Sequence, residues 1–373
     1  MSNLAKPQPR RSSDVGSAVR LHGGNDANLI RRQPPASAAP HYIFNRPNLY
    51  IKESAVWEIA DATLTVDGTV PGHPQFYVFD AAGKLIEGFS SGGRPFIAED
   101  LIPLRGTVGL LDDRFSVFNT CHLLLDKLTR IPRLAPAEVD RYFLVLESTF
   151  ASFLFDCLGL AVCFGIVGPR KQKLSYKVER LLVTDAAFFN MSHPGQGLDV
   201  ISAAFIEDRL RPAVASWLAA SPEASALPDL GKRLYVSRQA GKARRIANES
   251  EAHEVIAQHG FQAVQFEEMS VPAQLHCSLN ADAMLGLHGA GLTNGAFMPR
   301  GSRLLELLPP LCATAAYWTM GLGLGYRYDA MICEAVDGQG VPDYSTWVHD
   351  VKFNRDDVKV PPQALDAFLT RNL

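Results

Sequence analysis

The sequence predicts an α/β protein of two domains behind a disordered N-terminal arm. Three observations predict it. The chain has 373 residues, and at about 150 residues per domain that length suits two. Past residue 231, short apolar runs alternate with helical stretches at the spacing of a covered parallel sheet. The first forty residues hold five prolines and six basic residues with almost no apolar periodicity, so they cannot offset their own ordering entropy. The divisions follow composition: 1–40 for the arm, 41–215 for an N-terminal α/β domain and 216–373 for a C-terminal one.

Composition excludes several classes. A hydrophobic fraction of 47% and a charged fraction of 20% are globular values, not those of a disordered chain. Thirty-six basic against thirty-nine acidic residues leave a net charge of −3, so no global field draws the protein onto nucleic acid. The six cysteines form no Cys-x-x-Cys pair, which removes zinc-finger spacing and fits a reducing compartment. The opening MSNLAKPQPRRSS has no apolar segment of the secretory kind. The greasiest stretch, 153–168, is short and interrupted by Asp156, so it reads as buried core rather than a membrane span. A cytoplasmic protein is expected, its basic arm either a solvated tail or a contact to the anionic inner face of a membrane.

The elements follow in chain order. Between 41 and 109, short runs broken by Gly and Pro read as strands and turns, as in Gln75-Phe-Tyr-Val-Phe-Asp80, the turn at 81–83 and Lys84-Leu-Ile. A helix is expected over 119–128, stopped by Pro132, and a buried strand over 142–146. Residues 215–230, rich in Ala, Ser and Pro, read as a connection. Then come strand 233–237, a helix capped by Asn248 with Glu251 as its partner and closed by Gly260, and strand 261–266. A helix capped by Ser270, strand 283–287, short helix 292–298 and strand 302–308 complete the alternation. Gly321, Gly323 and Gly325 read as a loop.

The segment His288-Gly289-Ala290-Gly291-Leu292-Thr293-Asn294 lies where an apolar strand ends and a short helix begins. Its glycines permit a tight turn and close backbone approach, and a helix N-terminus favours an anion such as a diphosphate. A packed glycine turn is the alternative. Residues 232–245 carry Lys232, Arg233, Arg238, Lys242, Arg244 and Arg245 with no acid. Arg238 follows a strand directly, at the end where parallel sheets bind ligands, and arginine can grip two phosphate oxygens at once. Tyr235 is the single aromatic residue among these charges, too few for a base-stacking surface, which disfavours nucleic acid. Glu306 ends the next strand, where a carboxylate can accept ribose hydroxyls, or simply sit in solvent. His122 and Asp126, four apart, share a helix face and can act as a general base and its partner, or serve structure alone. His253, Glu254 and His259 lack the H-E-x-x-H spacing of a zinc site.

Taken in order, Asn119-x-x-His122-x-x-x-Asp126, Ser237-Arg238, Arg244-Arg245-Ile-Ala-Asn248-Glu249, Gly260-Phe261, Met269-Ser270, Gln274, the 288–294 segment and Glu306 resemble glycosyltransferase family 61. Its bacterial members are often labelled capsular polysaccharide biosynthesis proteins. The resemblance runs over roughly 116–309, and Asn354-x-Asp356 is similar to the family's tail. Thr120, Cys121 and Leu123 stand where the family commonly has aromatic residues beside the first motif. The resemblance implies a GT-B architecture, two Rossmann-like domains facing across a cleft, with no obligatory metal or other cofactor. It implies an inverting transferase that takes a nucleotide-sugar, UDP-linked, and a glycan or lipid-linked glycan acceptor. Arg238, Arg244, Arg245 and residues 288–294 then hold the donor diphosphate, and Ser237 and Glu306 the nucleoside. Asn119 lies on the acceptor side, and Asp126 or His122 is the base. Two rivals remain at this point: an NAD(P)-dependent oxidoreductase using the Gly289, Gly291 and Gly295 turn, and a non-catalytic member of the same fold.

Overall fold

The β-branched and aromatic residues concentrated over 55–67, 75–79 and 173–184 favour strands. The computed structural model builds its first sheet from them. It describes residues 17–23, 30–31, 48–49, 55–70, 74–112, 119–168, 172–184, 198–222, 226–238, 244–310, 312, 315–336 and 357–373. Among the features expected above, most of the arm, Lys242 and Asn354 with Asp356 lie outside these residues. The chain divides into two compact units, 1–27 with 51–189 and 28–50 with 190–373.

The first unit carries strands β1 (Val19–Gly23), β2 (Ala55–Asp67), β3 (Gln75–Phe79), β4 (Leu101–Leu110), β5 (Arg141–Leu146), β6 (Val162–Ile166) and β7 (Lys173–Thr184). They lie in the order β1-β2-β7-β4-β5-β6, with β3 also on β2. β4, β5 and β6 are parallel and joined by helices: the helical run α1 (120–134) and α2 (Thr149–Leu158). β7 runs parallel to β4, whereas β1, β2 and β3 add antiparallel pairs. The sheet is therefore mixed, and only its β4–β6 portion has the Rossmann-like alternation expected of the whole domain. Ile59, Leu64, Val66, Phe76, Phe143, Val178 and Leu181 form its buried core.

Two expectations are corrected here. Residues 19–23, assigned to the disordered arm, pair antiparallel with β2 from Val19 opposite Glu58 to Gly23 opposite Ala55. Backbone ladder bonds order them without needing the apolar periodicity whose lack suggested disorder. Pro132 does not stop α1. The run changes from α (Thr120–His122) to π (Leu123–Lys127) to 3₁₀ (Leu128–Arg130), then restarts as α at Ile131–Leu134. Pro132 falls in that restarted first turn, where its missing N–H costs little. The greasy stretch 153–168 is the end of α2 and all of β6; among the described residues no helix is long and apolar enough to cross a membrane.

The second unit is the more regular. Strands β8 (Arg233–Val236), β9 (Gln262–Val264), β10 (Ala283–Leu287), β11 (Arg303–Leu308) and β12 (Arg327–Ile332) form a parallel sheet in the order β9-β8-β10-β11-β12. Helix α3 is the run 200–220, followed by α4 (Glu249–Gln258), α5 (Val271–Asn280), α6 (Ala316–Gly323) and α7 (Pro362–Asn372). Ala252 and Ile256 of α4 and Leu365, Phe368 and Leu369 of α7 pack with Tyr235, Leu285, Leu305 and Leu307 of the strands. The division falls at 189/190 and not at 215/216, because α3 belongs to this unit: Arg211 donates to Ala296 O (3.0 Å) and the Tyr326 hydroxyl (2.9 Å). The stretch read as a connection is helical to Ala220, as its alanines favour. Gly321 and Gly323 likewise lie in α6 rather than a loop, each against a neighbour that leaves little room for a Cβ, Tyr328 and Leu198.

Candidate functional site

The second sheet is wound outward in both directions from β8 and β10. These are neighbours whose connections leave on opposite sides, so a crevice is expected beyond their C-terminal ends. Arg238 follows β8 and His288 follows β10. Arg238 Nη1 donates to the His288 carbonyl at 3.1 Å, and Arg244 Nη1 donates to the same oxygen at 3.0 Å. Burial lowers the Arg238 pKa, and the Arg244 guanidinium lowers it further, while Glu267 and Tyr317 pull the other way. Among the described residues no carboxylate hydrogen-bonds either guanidinium. Two cations gathered on one neutral oxygen suit an anion.

The glycines of the 288–294 turn serve close approach rather than unusual dihedrals. Gly289 has an extended backbone (φ 170°), but a Cβ there would collide with the Arg238 guanidinium; at Gly291 it would come within 2.8 Å of Val236 Cγ1. The Gly289 carbonyl accepts from the Tyr317 hydroxyl (2.5 Å) and from Leu292 N (3.0 Å). Residues Ala290–Phe297 form a 3₁₀ helix, with Leu292, Thr293 and Asn294 buried in it. Thr293 Oγ1 lies 3.4 Å from the Tyr317 hydroxyl; Asn294 Nδ2 donates to Gln274 Oε1 and Gly291 O, each at 3.4 Å. These side chains hold the shape of the turn. Tyr317 had no signal in the sequence, since only the fold brings α6 beneath it.

Glu306 does not present its carboxylate for a ribose, as a strand-end position suggested. It is 1% exposed, with Oε1 bound to His288 Nδ1 and Oε2 accepting from the Tyr328 hydroxyl at 2.5 Å. Burial alone would lower the His288 pKa. The Cys312 thiol and the Glu306 carboxylate more than offset that and raise it to about 10. The raised pKa favours the protonated ring paired with Glu306, and the ring is stacked edge-on against Tyr317 at 5.3 Å. Ser237 also faces inward, donating to Glu249 Oε1 at 2.9 Å. Arg245 turns away from the site: its guanidinium pairs with Asp357 at 2.9 Å. Asn248 is not a side-chain cap. Its amide instead holds Val360, accepting from the N–H at 2.9 Å and donating to the carbonyl at 2.8 Å.

In the first unit the Asn119 side chain accepts from His122 N at 3.0 Å and caps α1. His122 Nδ1 and Asp126 Oδ2 are 2.6 Å apart, both residues buried. Sequence reasoning missed the charges packed around them. Lys127 Nζ pairs with Asp112 at 2.6 Å, and Asp112 also accepts from Val145 N at 2.7 Å. Arg130 donates to Asp126 O and Thr184 O, both at 3.0 Å. An acid directly before a lysine in a leucine-rich helix was the available signal. The sequence also contains Gly88-Phe-Ser90-Ser-Gly92, the spacing of a hydrolase nucleophile elbow. Ser90 is buried, with its hydroxyl donating to Ile86 O at 2.8 Å and accepting from Val78 N at 3.0 Å, so it is spent on the fold.

The family model described as glycosyltransferase 61 matches residues 120–305. No curated protein matches the chain. Among solved structures it is similar to the bacterial iron-containing dodecameric glycosyltransferase TibC from enterotoxigenic E. coli H10407, at 7% identity and a TM-score of 0.32, over 84% of this chain and 87% of that one. The histidine–aspartate pair, both arginines on the His288 carbonyl and the whole glycine turn fall inside the family match, and the chain is a glycosyltransferase.

Proposed function

We propose that the chain is an inverting GT-B glycosyltransferase. In this reading it moves a sugar from a UDP-linked donor to a hydroxyl of a glycan or lipid-linked glycan, in the synthesis of capsule or another surface polysaccharide. The observation that carries the proposal is the meeting of Arg238 and Arg244 on the His288 carbonyl at the switch point of the parallel sheet. When the bond from the anomeric carbon to the diphosphate breaks, its electron pair and negative charge pass to the phosphate. Fixed cations there stabilise the transition state more than the ground state. The two arginines and the backbone of 289–293 take that role.

The attacking acceptor hydroxyl enters from the opposite face of the sugar, which inverts the anomeric centre, and gives up its proton to Asp126 with His122 as partner. The 2.6 Å bond between them also supports the reverse division, in which Asp126 orients His122 and the ring takes the proton. The first unit then serves the acceptor and the second the donor, in the cytoplasm at the inner face of the membrane, and transfer continues in EDTA. Asp126→Asn is expected to lower transfer by about 10²–10⁴-fold while calorimetry finds UDP affinity unchanged. Arg238→Ala is expected to lose UDP affinity. If Asp126→Asn weakens UDP binding as much as it slows transfer, the base assignment fails.

A further inference from the structure

Arg244 and Arg245 are adjacent, yet only Arg244 reaches the His288 carbonyl. The cause lies 112 residues further on. Asp357 Oδ1 accepts from the Arg245 main-chain N–H at 2.8 Å; Oδ2 accepts from its Nε at 3.2 Å and its Nη2 at 2.9 Å. The contact continues as a short parallel ladder. Val358 N donates to Arg245 O and Ala247 N donates to Val358 O, both at 2.8 Å, and Asn248 then holds both polar groups of Val360. Ile246, Val358 and Val360 are buried in the core beside α7. The residue just before this ladder, Arg244, has φ +58°, a left-handed conformation uncommon for a residue with a Cβ and held only where its surroundings enforce it.

We propose that Asp357 is a positioning residue for the donor diphosphate. By taking both the main chain and the guanidinium of Arg245, it holds Arg244 in the left-handed turn that delivers its guanidinium to His288. This rests on the reading of Arg238 and Arg244 as diphosphate ligands. The ion pair itself is exposed, 61% for the arginine side chain and 31% for the aspartate, so it contributes little to stability. Its consequence is geometric, and a misplacement of one ångström can cost about 100-fold in a site of this kind.

The test titrates UDP and inorganic pyrophosphate into the full chain and into Asp357→Ala, Arg244→Ala and the double variant by calorimetry, with urea unfolding of each. The expected result is about 10-fold weaker binding for Asp357→Ala at an unchanged unfolding midpoint. Arg244→Ala should bind at least as weakly, and the double variant no more weakly than Arg244→Ala alone. A merely structural role would lower the midpoint and leave the two losses multiplicative, which overturns the proposal. Wild-type affinity in Asp357→Ala alongside weakened binding in Arg244→Ala overturns it as well. If Arg244→Ala itself binds both probes like the parent, the diphosphate reading is what fails, and the proposal falls with it. Should Asp357→Ala not fold, Asp357→Asn, which keeps an acceptor for the Arg245 N–H, takes its place in the same comparison.

Discussion

One methyl group decides whether the His288 carbonyl can receive its arginine. A Cβ at Gly289 would collide with the Arg238 guanidinium, while the extended backbone there accepts alanine without strain. Gly289→Ala should therefore fold with an unchanged unfolding midpoint and lose UDP affinity, as calorimetry beside urea denaturation would show. The buried His288–Glu306 pair makes a different prediction. The His288 pKa is raised from an ordinary 6.5 to about 10 by its partners, against the effect of burial. Its contribution to stability is thus fully present below about pH 6.5 and lost as pH rises through 10. Glu306→Gln should flatten that decline relative to the parent. It should also lower stability at pH 6.5 by about 3–5 kcal/mol, the cost of stranding a buried charge; parallel unfolding curves between pH 6.5 and 10 check both. The placement of Arg238 beside the 288–294 turn was legible because a cation directly after a parallel strand has few uses. Glu306 was misread because a strand-end carboxylate looks the same in sequence whether it faces solvent or a buried ring.

Among elements, the helix ends that depend on local chemistry were readable. Ser270 Oγ accepts from Ala273 N at 3.4 Å, and Gly260 closes α4 with φ +75°. Ser270→Ala should cost about 1 kcal/mol in urea unfolding. Asn248→Ala should differ in kind: it removes the two bonds to Val360, so hydrogen exchange is expected to rise at 358–360 rather than in the first turn of α4. Asn248 carries the same local signal as Ser270. The difference comes from a strand end 112 residues away that competes for its amide. The π and 3₁₀ turns of α1 have no counterpart in residue spacing either, which is why Pro132 looked like a terminator.

For the molecule as a whole, strand order is what turns two separate loops into one site. In the order β9-β8-β10-β11-β12, Val236 lies opposite Gly286 in adjacent parallel strands, so Arg238 and His288 emerge side by side. A dinucleotide fold could also place a glycine turn at a switch point, but its fingerprint follows the first strand of the sheet, and here the turn follows the third. UDP at 100 times its Kd should raise the unfolding free energy by about 2.7 kcal/mol, and NADH at the same concentration should leave it unchanged. Stabilisation by NADH alone would favour the oxidoreductase reading instead.

Local and periodic properties were determined by the sequence itself: the alternating α/β class, the strands over 233–237, 283–287 and 302–308, and the glycine turn with a basic loop upstream. Each depends on neighbours within a few residues, so spacing records it. The tertiary structure decided everything that depends on long-range pairing. It assigned α3 to the second unit and added the antiparallel strands of the first. It buried Glu306 against His288 and Tyr328, and it separated Arg244 from Arg245 through Asp357. A side chain's role is set by which partner reaches it first, and partners 18, 22 or 112 residues apart leave no mark on local pattern.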